Sequence, residues 1–220
     1  MRHTLLRGAP AILLFGLLLV AAPRASAASF DFGQWAVDNG EQGFTNAAPF
    51  TLTDAGIMVT ATATSGGGAA HAYLDGLFNG RKAGMGVCQT LTGSNQCNPG
   101  SDDNVTAGEV LKLTFSTAVT LDSIGFRDKD HYQAGDPGGF FGVGDFVNIQ
   151  VDGAGGFVPY SLAAGAFPPP TLQGSMFEFG YNNELFYVET ISATSVPEPA
   201  TLGLLGMGLL AMVGIRRRRS

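Results

Sequence analysis

The run Gly108-Glu109-Val110-Leu111-Lys112-Leu113-Thr114-Phe115 leads through Ser116-Thr117-Ala118 into Val119-Thr120-Leu121-Asp122-Ser123-Ile124-Gly125-Phe126-Arg127. Its periodicity decides the fold class. Leu111, Leu113 and Phe115 alternate with Val110, Lys112 and Thr114, the period-two pattern of a strand with one buried face. Val119 and Leu121 share a face, and Ile124 and Phe126 fall out of phase with them. That phase change predicts a β-bulge near Asp122-Ser123.

The same alternation recurs outward in both directions, without helical periodicity. Ile57, Val59, Ala61 and Ala63 alternate with Met58, Thr60, Thr62 and Thr64. Val147, Ile149 and Val151 alternate with Phe146, Asn148 and Gln150, Phe177 and Phe179 flank Glu178, and Leu185 to Thr194 gives a last strand. Gly66-Gly67-Gly68, Asn79-Gly80, Asn98-Pro99-Gly100, Asp136-Pro137-Gly138-Gly139, Asp152-Gly153 and Pro168-Pro169-Pro170 punctuate the runs with turn chemistry. Many short strands and abundant core aromatics (Phe30, Phe32, Trp35, Phe115, Phe126, Phe146) predict an all-β fold, an antiparallel β-sandwich of jelly-roll-like topology. No fixed-period repeat supports a β-solenoid.

The two ends are of another kind. Arg2 and Arg7 precede an apolar stretch from Ala9 to Ala22, and Ala25-Ser26-Ala27 supplies the small residues of a signal-peptidase site, so 1–27 reads as a cleavable signal peptide. At the other end, Val196-Pro197-Glu198-Pro199 leads into an apolar run of 16 residues, Ala200 to Ile215, and then Arg216-Arg217-Arg218-Arg219-Ser220. As a transmembrane helix this run would cover ~24 Å of a hydrocarbon core of ~30 Å. The arginines would hold its end in the cytoplasm, with everything before Val196 on the other side.

That order resembles the PEP-CTERM sorting signal of bacterial exported proteins. The resemblance implies that exosortase, a membrane-embedded cysteine protease, recognises Pro197, Glu198 and Pro199 within the box 196–199. It also implies that Arg216, Arg217, Arg218 and Arg219 act as the stop signal, and that the processed protein goes to the cell surface or the exopolysaccharide matrix. The segments Gly84 to Cys88, Asp102 to Leu111 and Asp128 to His131 resemble a module frequent in such proteins, which implies an extracellular β-domain and no activity.

The expected organisation is therefore a signal peptide (1–27), an extracellular domain (28–195) and a sorting signal (196–220). The middle segment keeps 17 of the 18 Asp and Glu but only five of the 12 Lys and Arg, a net charge of −12. Such a surface repels nucleic acid and anionic lipid and favours divalent cations. Cys88 and Cys97, with eight residues between them in an exported segment, are expected to form a disulfide that pins a short excursion.

Catalytic motifs are absent: the sequence has no Gly-x-Ser-x-Gly elbow, no His-Glu-x-x-His and no phosphate-cradling loop. A non-enzymatic domain is expected, and paired carboxylates for glycoside hydrolysis cannot be picked out from so many acids. One constellation stands out, Asp102, Asp103 and Glu109 with Asp128 and Asp130. If Gly108–Phe115 and Val119–Arg127 form a hairpin, these acids lie near its open end, where calcium would find several oxygen ligands. Ordinary turn-forming Asp and Asn account for the same residues. The function expected is thus a surface or matrix protein associated with envelope or biofilm exopolysaccharide. The alternative is a calcium-assisted carbohydrate-binding module with Trp35, Tyr132 or Tyr160 as aromatic platforms. The partners are signal peptidase, exosortase, the membrane before processing and exopolysaccharide.

Overall fold

The computed structural model describes residues 25–139, 141–142, 144–162 and 172–197. Its elements run β1 (Ala27–Asp31), α1 (Phe32–Asn39), β2 (Gln42–Phe44), β3 (Phe50–Asp54), β4 (Ile57–Ser65), β5 (Gly68–Phe78), β6 (Arg81–Cys88), β7 (Glu109–Asp128), β8 (Phe146–Val151), β9 (Ala154–Ser161), β10 (Leu172–Tyr181) and β11 (Phe186–Ser195). Every strand pairing is antiparallel.

The all-β expectation holds, but the jelly-roll sandwich does not describe the layout. A single sheet of 11 strands carries the path β1-β11-β6-β5-β4-β7-β10-β8-β9, and an additional β11–β7 pairing closes β4, β5, β6, β11 and β7 into a barrel. Closure leaves no free edge among these five strands. The inward faces carry the alternating apolar residues, with Val59, Leu74, Met85, Leu113, Phe177 and Val188 fully buried. Phe115 sits between Phe30 and Phe177, ring centroids 5.9 and 5.7 Å away.

The opening stretch is one strand of 20 residues, not a hairpin. Its first half pairs with β4 and its second with β11. The β10 ladder skips between Gly174, opposite Val119, and Met176, opposite Thr114, so Ser116-Thr117-Ala118 is a corner within the strand. The corner turns the strand back: β10 ends beside Val110, β11 begins beside Asp128, and only residues 182–185 join them. The expected bulge is present. Ser192 faces Ser123 and Ala193 faces Leu121, which leaves Asp122 without a partner in the ladder.

The helix α1 has no counterpart in the strand reading. Asp31 starts it, its Oδ1 accepting from the Gln34 amide at 2.7 Å, and Gly40 at φ 89° ends it. Phe32 and Ala36 are buried, and Trp35 meets Phe44 and Phe50 edge-on. Among the described residues no helix is long and apolar enough to cross a membrane. The transmembrane run 200–215, Glu198, Pro199, Arg216 to Arg219 and the apolar stretch of the signal peptide all lie outside the described residues.

Candidate functional site

Two segments converge on one end of the barrel. The first is the long loop between β6 and β7, pinned at its start by the Cys88–Cys97 disulfide, with Cα atoms 5.8 Å apart. Its later part lies across β6: a Cβ on Gly86 would run into the Asp103 carbonyl and the Asn104 Cα, so only glycine admits this close approach. Val105 then bridges to β11, its amide donating to the Phe186 carbonyl at 2.8 Å. The second is the turn after β7, where Asp128 Oδ1 accepts from the amides of Asp130 and Tyr132, both at 2.9 Å, and His131 adopts φ 67°.

Between them opens a cavity of about 470 Å³ whose wall includes Glu41, Asp75, Asp103, Asn104, His131 and Tyr187. Asp75 and His131 are 6% and 5% exposed and are joined Nε2 to Oδ2 at 2.8 Å. The other ring nitrogen, Nδ1, lies 3.2 Å from the Arg81 carbonyl. A carbonyl only accepts, so Nδ1 donates there, and a second proton on Nε2 suits the Asp75 carboxylate. Burial of the ring disfavours its charge, yet the hydrogen bond and the charge of Asp75 outweigh that, and the net shift of the His131 pKa is upward. Tyr187 donates its hydroxyl to Asp103 Oδ1 at 2.6 Å. Burial, reinforced by the Asp75 charge against the opposing Tyr187 bond, pushes Asp103 up to about 6. Burial first and the facing Asp75 charge second also raise Glu41. Carboxyls thus outnumber the one cationic ring in this wall.

Beside the cavity lies a second buried polar group. Arg127 Nη2 meets Glu189 Oε1 at 2.6 Å, Gln133 Nε2 donates to Glu189 Oε2 at 2.8 Å, and Lys82 stands 3.9 Å from the same carboxylate. Arg127 Nη1 also donates to the His131 carbonyl at 3.1 Å. This network fixes the turn that presents His131.

The five acids singled out in the sequence do not converge on one point. Asp103 and Asp130 both line the cavity. Asp130 is paired with Lys129 at 2.6 Å near the surface. Asp102 accepts from the Gln89 amide at 3.2 Å, and Glu109, 1% exposed, accepts from Gln89 Nε2 and from the Thr106 amide. Asp128, fully buried, holds its own turn. The one group of three candidate metal-ligand side chains converging within 4.8 Å among the described residues is Cys88, Cys97 and Asp102. Its two sulfurs are bonded to each other, so they offer no thiolate.

Sequence reasoning missed Glu41, Asp75 and Tyr187. The available signal was Asp75 itself, an acid inside the otherwise apolar Ala72-Tyr73-Leu74-Asp75-Gly76. The proposed platforms are all half-buried. Trp35 packs on Phe44 and Phe50, Tyr132 carries the Arg81 guanidinium 3.9 Å over its ring, and Tyr160 lies against the core. The exposed aromatic at the cavity is Phe78, 51% exposed.

The last strand ends at Ser195, whose amide donates to the Ser26 carbonyl at 2.8 Å, and the Val196 amide donates to the Ala118 carbonyl at 2.9 Å. Pro197, the last described residue, is exposed. A family model for the PEP-CTERM protein-sorting motif matches residues 195–219. The chain carries a PEP-CTERM sorting motif. The motif makes it an exosortase-sorted exported protein, anchored in the membrane before processing. The PEP-CTERM match begins at residue 195, the last residue of β11. No curated protein and no solved structure matched the chain.

Proposed function

We propose that the barrel is the non-enzymatic working domain of a cell-surface or extracellular-matrix protein that associates with exopolysaccharide in the envelope or biofilm. In this reading the precursor carries a signal peptide over 1–27 and a membrane helix over 200–215. Signal peptidase and exosortase free the domain 28–195 outside the cell. The observation that carries the reading is the sorting motif at 195–219, which adjoins the closing strand directly. The acidic surface supports solubility and exclusion of nucleic acid.

A second reading, a carbohydrate-binding module, is favoured by the cavity. A small-molecule site has a preformed concavity with a few convergent polar groups, and the wall from Asp75 to Tyr187 has that composition. Fractionation tests the location: digestion of the matrix polysaccharide should release the processed protein into the soluble fraction. Retention on the cells after the polysaccharide is gone would exclude matrix association.

A further inference from the structure

We propose that the cavity between the 89–108 loop and the 128–132 turn binds an amino-sugar residue through its free ammonium group. This deepens the carbohydrate-binding reading and rests on it. The argument begins with what the wall lacks. Glu41, Asp75 and Asp103 present carboxyls. Asn104, 5% exposed, also lines the cavity, and its buried Oδ1 has no hydrogen-bond partner among the described residues. The wall's ring and ammonium donors are committed: His131 to Asp75 and Arg81, Tyr187 to Asp103, and Lys129 at the mouth to Asp130. Glu41, Asp75, Asp103 and Asp130 outnumber His131 and Lys129 in the lining, and each carboxylate oxygen can accept more than one bond, so the complementary ligand is rich in donors and cationic.

Size and surroundings narrow the class. About 470 Å³ falls toward the small end of ligand pockets, which run from about 300 to 1,000 Å³, so it suits a single ring. A bare metal ion fits less well, because Glu41, Asp75 and Asp103 do not appear among the described side chains whose donor atoms converge within 4.8 Å. A ring bearing hydroxyls and one ammonium can reach the Glu41 and Asp75 pair and Asp103 together. Phe78 and Leu77, 51% and 53% exposed, also line the cavity and offer apolar surface for the face of a sugar ring. Phe78 stands edge-on to His131, with ring centroids 5.7 Å apart, which fixes its position beside the buried polar groups.

Calorimetry on the processed protein purified from the producing cells tests the proposal with a glucosamine oligomer, its N-acetylated counterpart, a neutral glucan oligomer and a lysine-rich peptide. The glucosamine oligomer should bind, the N-acetylated and neutral oligomers should bind at least tenfold more weakly, and Asp103→Asn should weaken the first by at least tenfold. Asn104→Ala, which removes the unpartnered oxygen and leaves the charges in place, should weaken it as well. Equal binding of the N-acetylated oligomer, no effect of Asp103→Asn, or no binding at all overturns the proposal. Peptide binding as tight as that of the glucosamine oligomer overturns it in favour of a cationic protein segment. A protein that fractionates with the polysaccharide yet binds no glucosamine oligomer retires this inference alone. One that binds it but fails fractionation retires the matrix reading instead.

Discussion

Replacing Asp103 by asparagine should stabilise the protein at neutral pH and leave it unchanged in acid. The Asp103 carboxyl lies in the cavity wall, where burial and then the Asp75 charge, against the hydrogen bond from Tyr187, push its pKa up from 3.8 to about 6. A folded-state value above the unfolded one means that the fold favours the protonated form. The associated stability is fully present below pH 3.8 and is lost as pH rises through about 6. A shift of this size corresponds to about 3 kcal/mol, which partial exposure of the carboxyl reduces to about 1–2 kcal/mol. Asparagine keeps an oxygen for the Tyr187 hydroxyl and carries no charge. For a domain of this length the gain should raise Tm at pH 7.5 by roughly 2–8 °C. At pH 3.5 wild type and variant should melt together. Thermal melts of both proteins from pH 3.5 to 8 measure the difference. A variant less stable than wild type at pH 7.5, or a gain of equal size at both ends of the range, would refute the reasoning.

Other perturbations probe the frame around the cavity. Gly86→Ala should cost about 2–3 kcal/mol, because the new methyl meets the backbone of Asp103 and Asn104 rather than a yielding side chain, and denaturant melts would detect it. Arg127→Met should cost about 3 kcal/mol by leaving Glu189 buried with only Gln133 and the distant Lys82, and unfolding in urea gives the value. Serine at both Cys88 and Cys97 should lower stability by about 2–3 kcal/mol, and reductant should lower wild type alone by the same amount.

The strands that the sequence made legible are those whose alternating faces are large and apolar. β4, β8 and the Phe177-Glu178-Phe179 part of β10 alternate clearly, and the phase change at Ile124 located the bulge at Asp122 because one skipped residue flips every side chain after it. β5 and β6 were hidden by their glycines and alanines, which carry low strand propensity. Gly84 and Gly86 are there because β11 and the 103–104 backbone pass too close for a Cβ. The hairpin reading of Gly108–Arg127 failed because Ser116-Thr117-Ala118 bends the strand without reversing its pairing, and no turn residue marks the difference. The cavity was legible only in pieces. Asp103 and the Asp128–His131 turn were noticed as clusters, whereas Glu41, Asp75 and Tyr187 come from three other segments that only barrel closure brings together. The eight-residue α1 was too short to show a helical period against a background of strands.

The central claim is that a folded barrel is exported and then cut from a sorting tail that starts at its last strand. Intact mass of the protein from the surface and matrix fractions, compared with a variant in which Pro197, Glu198 and Pro199 are all alanine, tests it most directly. The account predicts wild-type material starting at Ala28 and lacking the arginine tail, with the variant full-length at its C-terminus and retained in the membrane. Variant protein recovered outside the cell at the wild-type mass would contradict it.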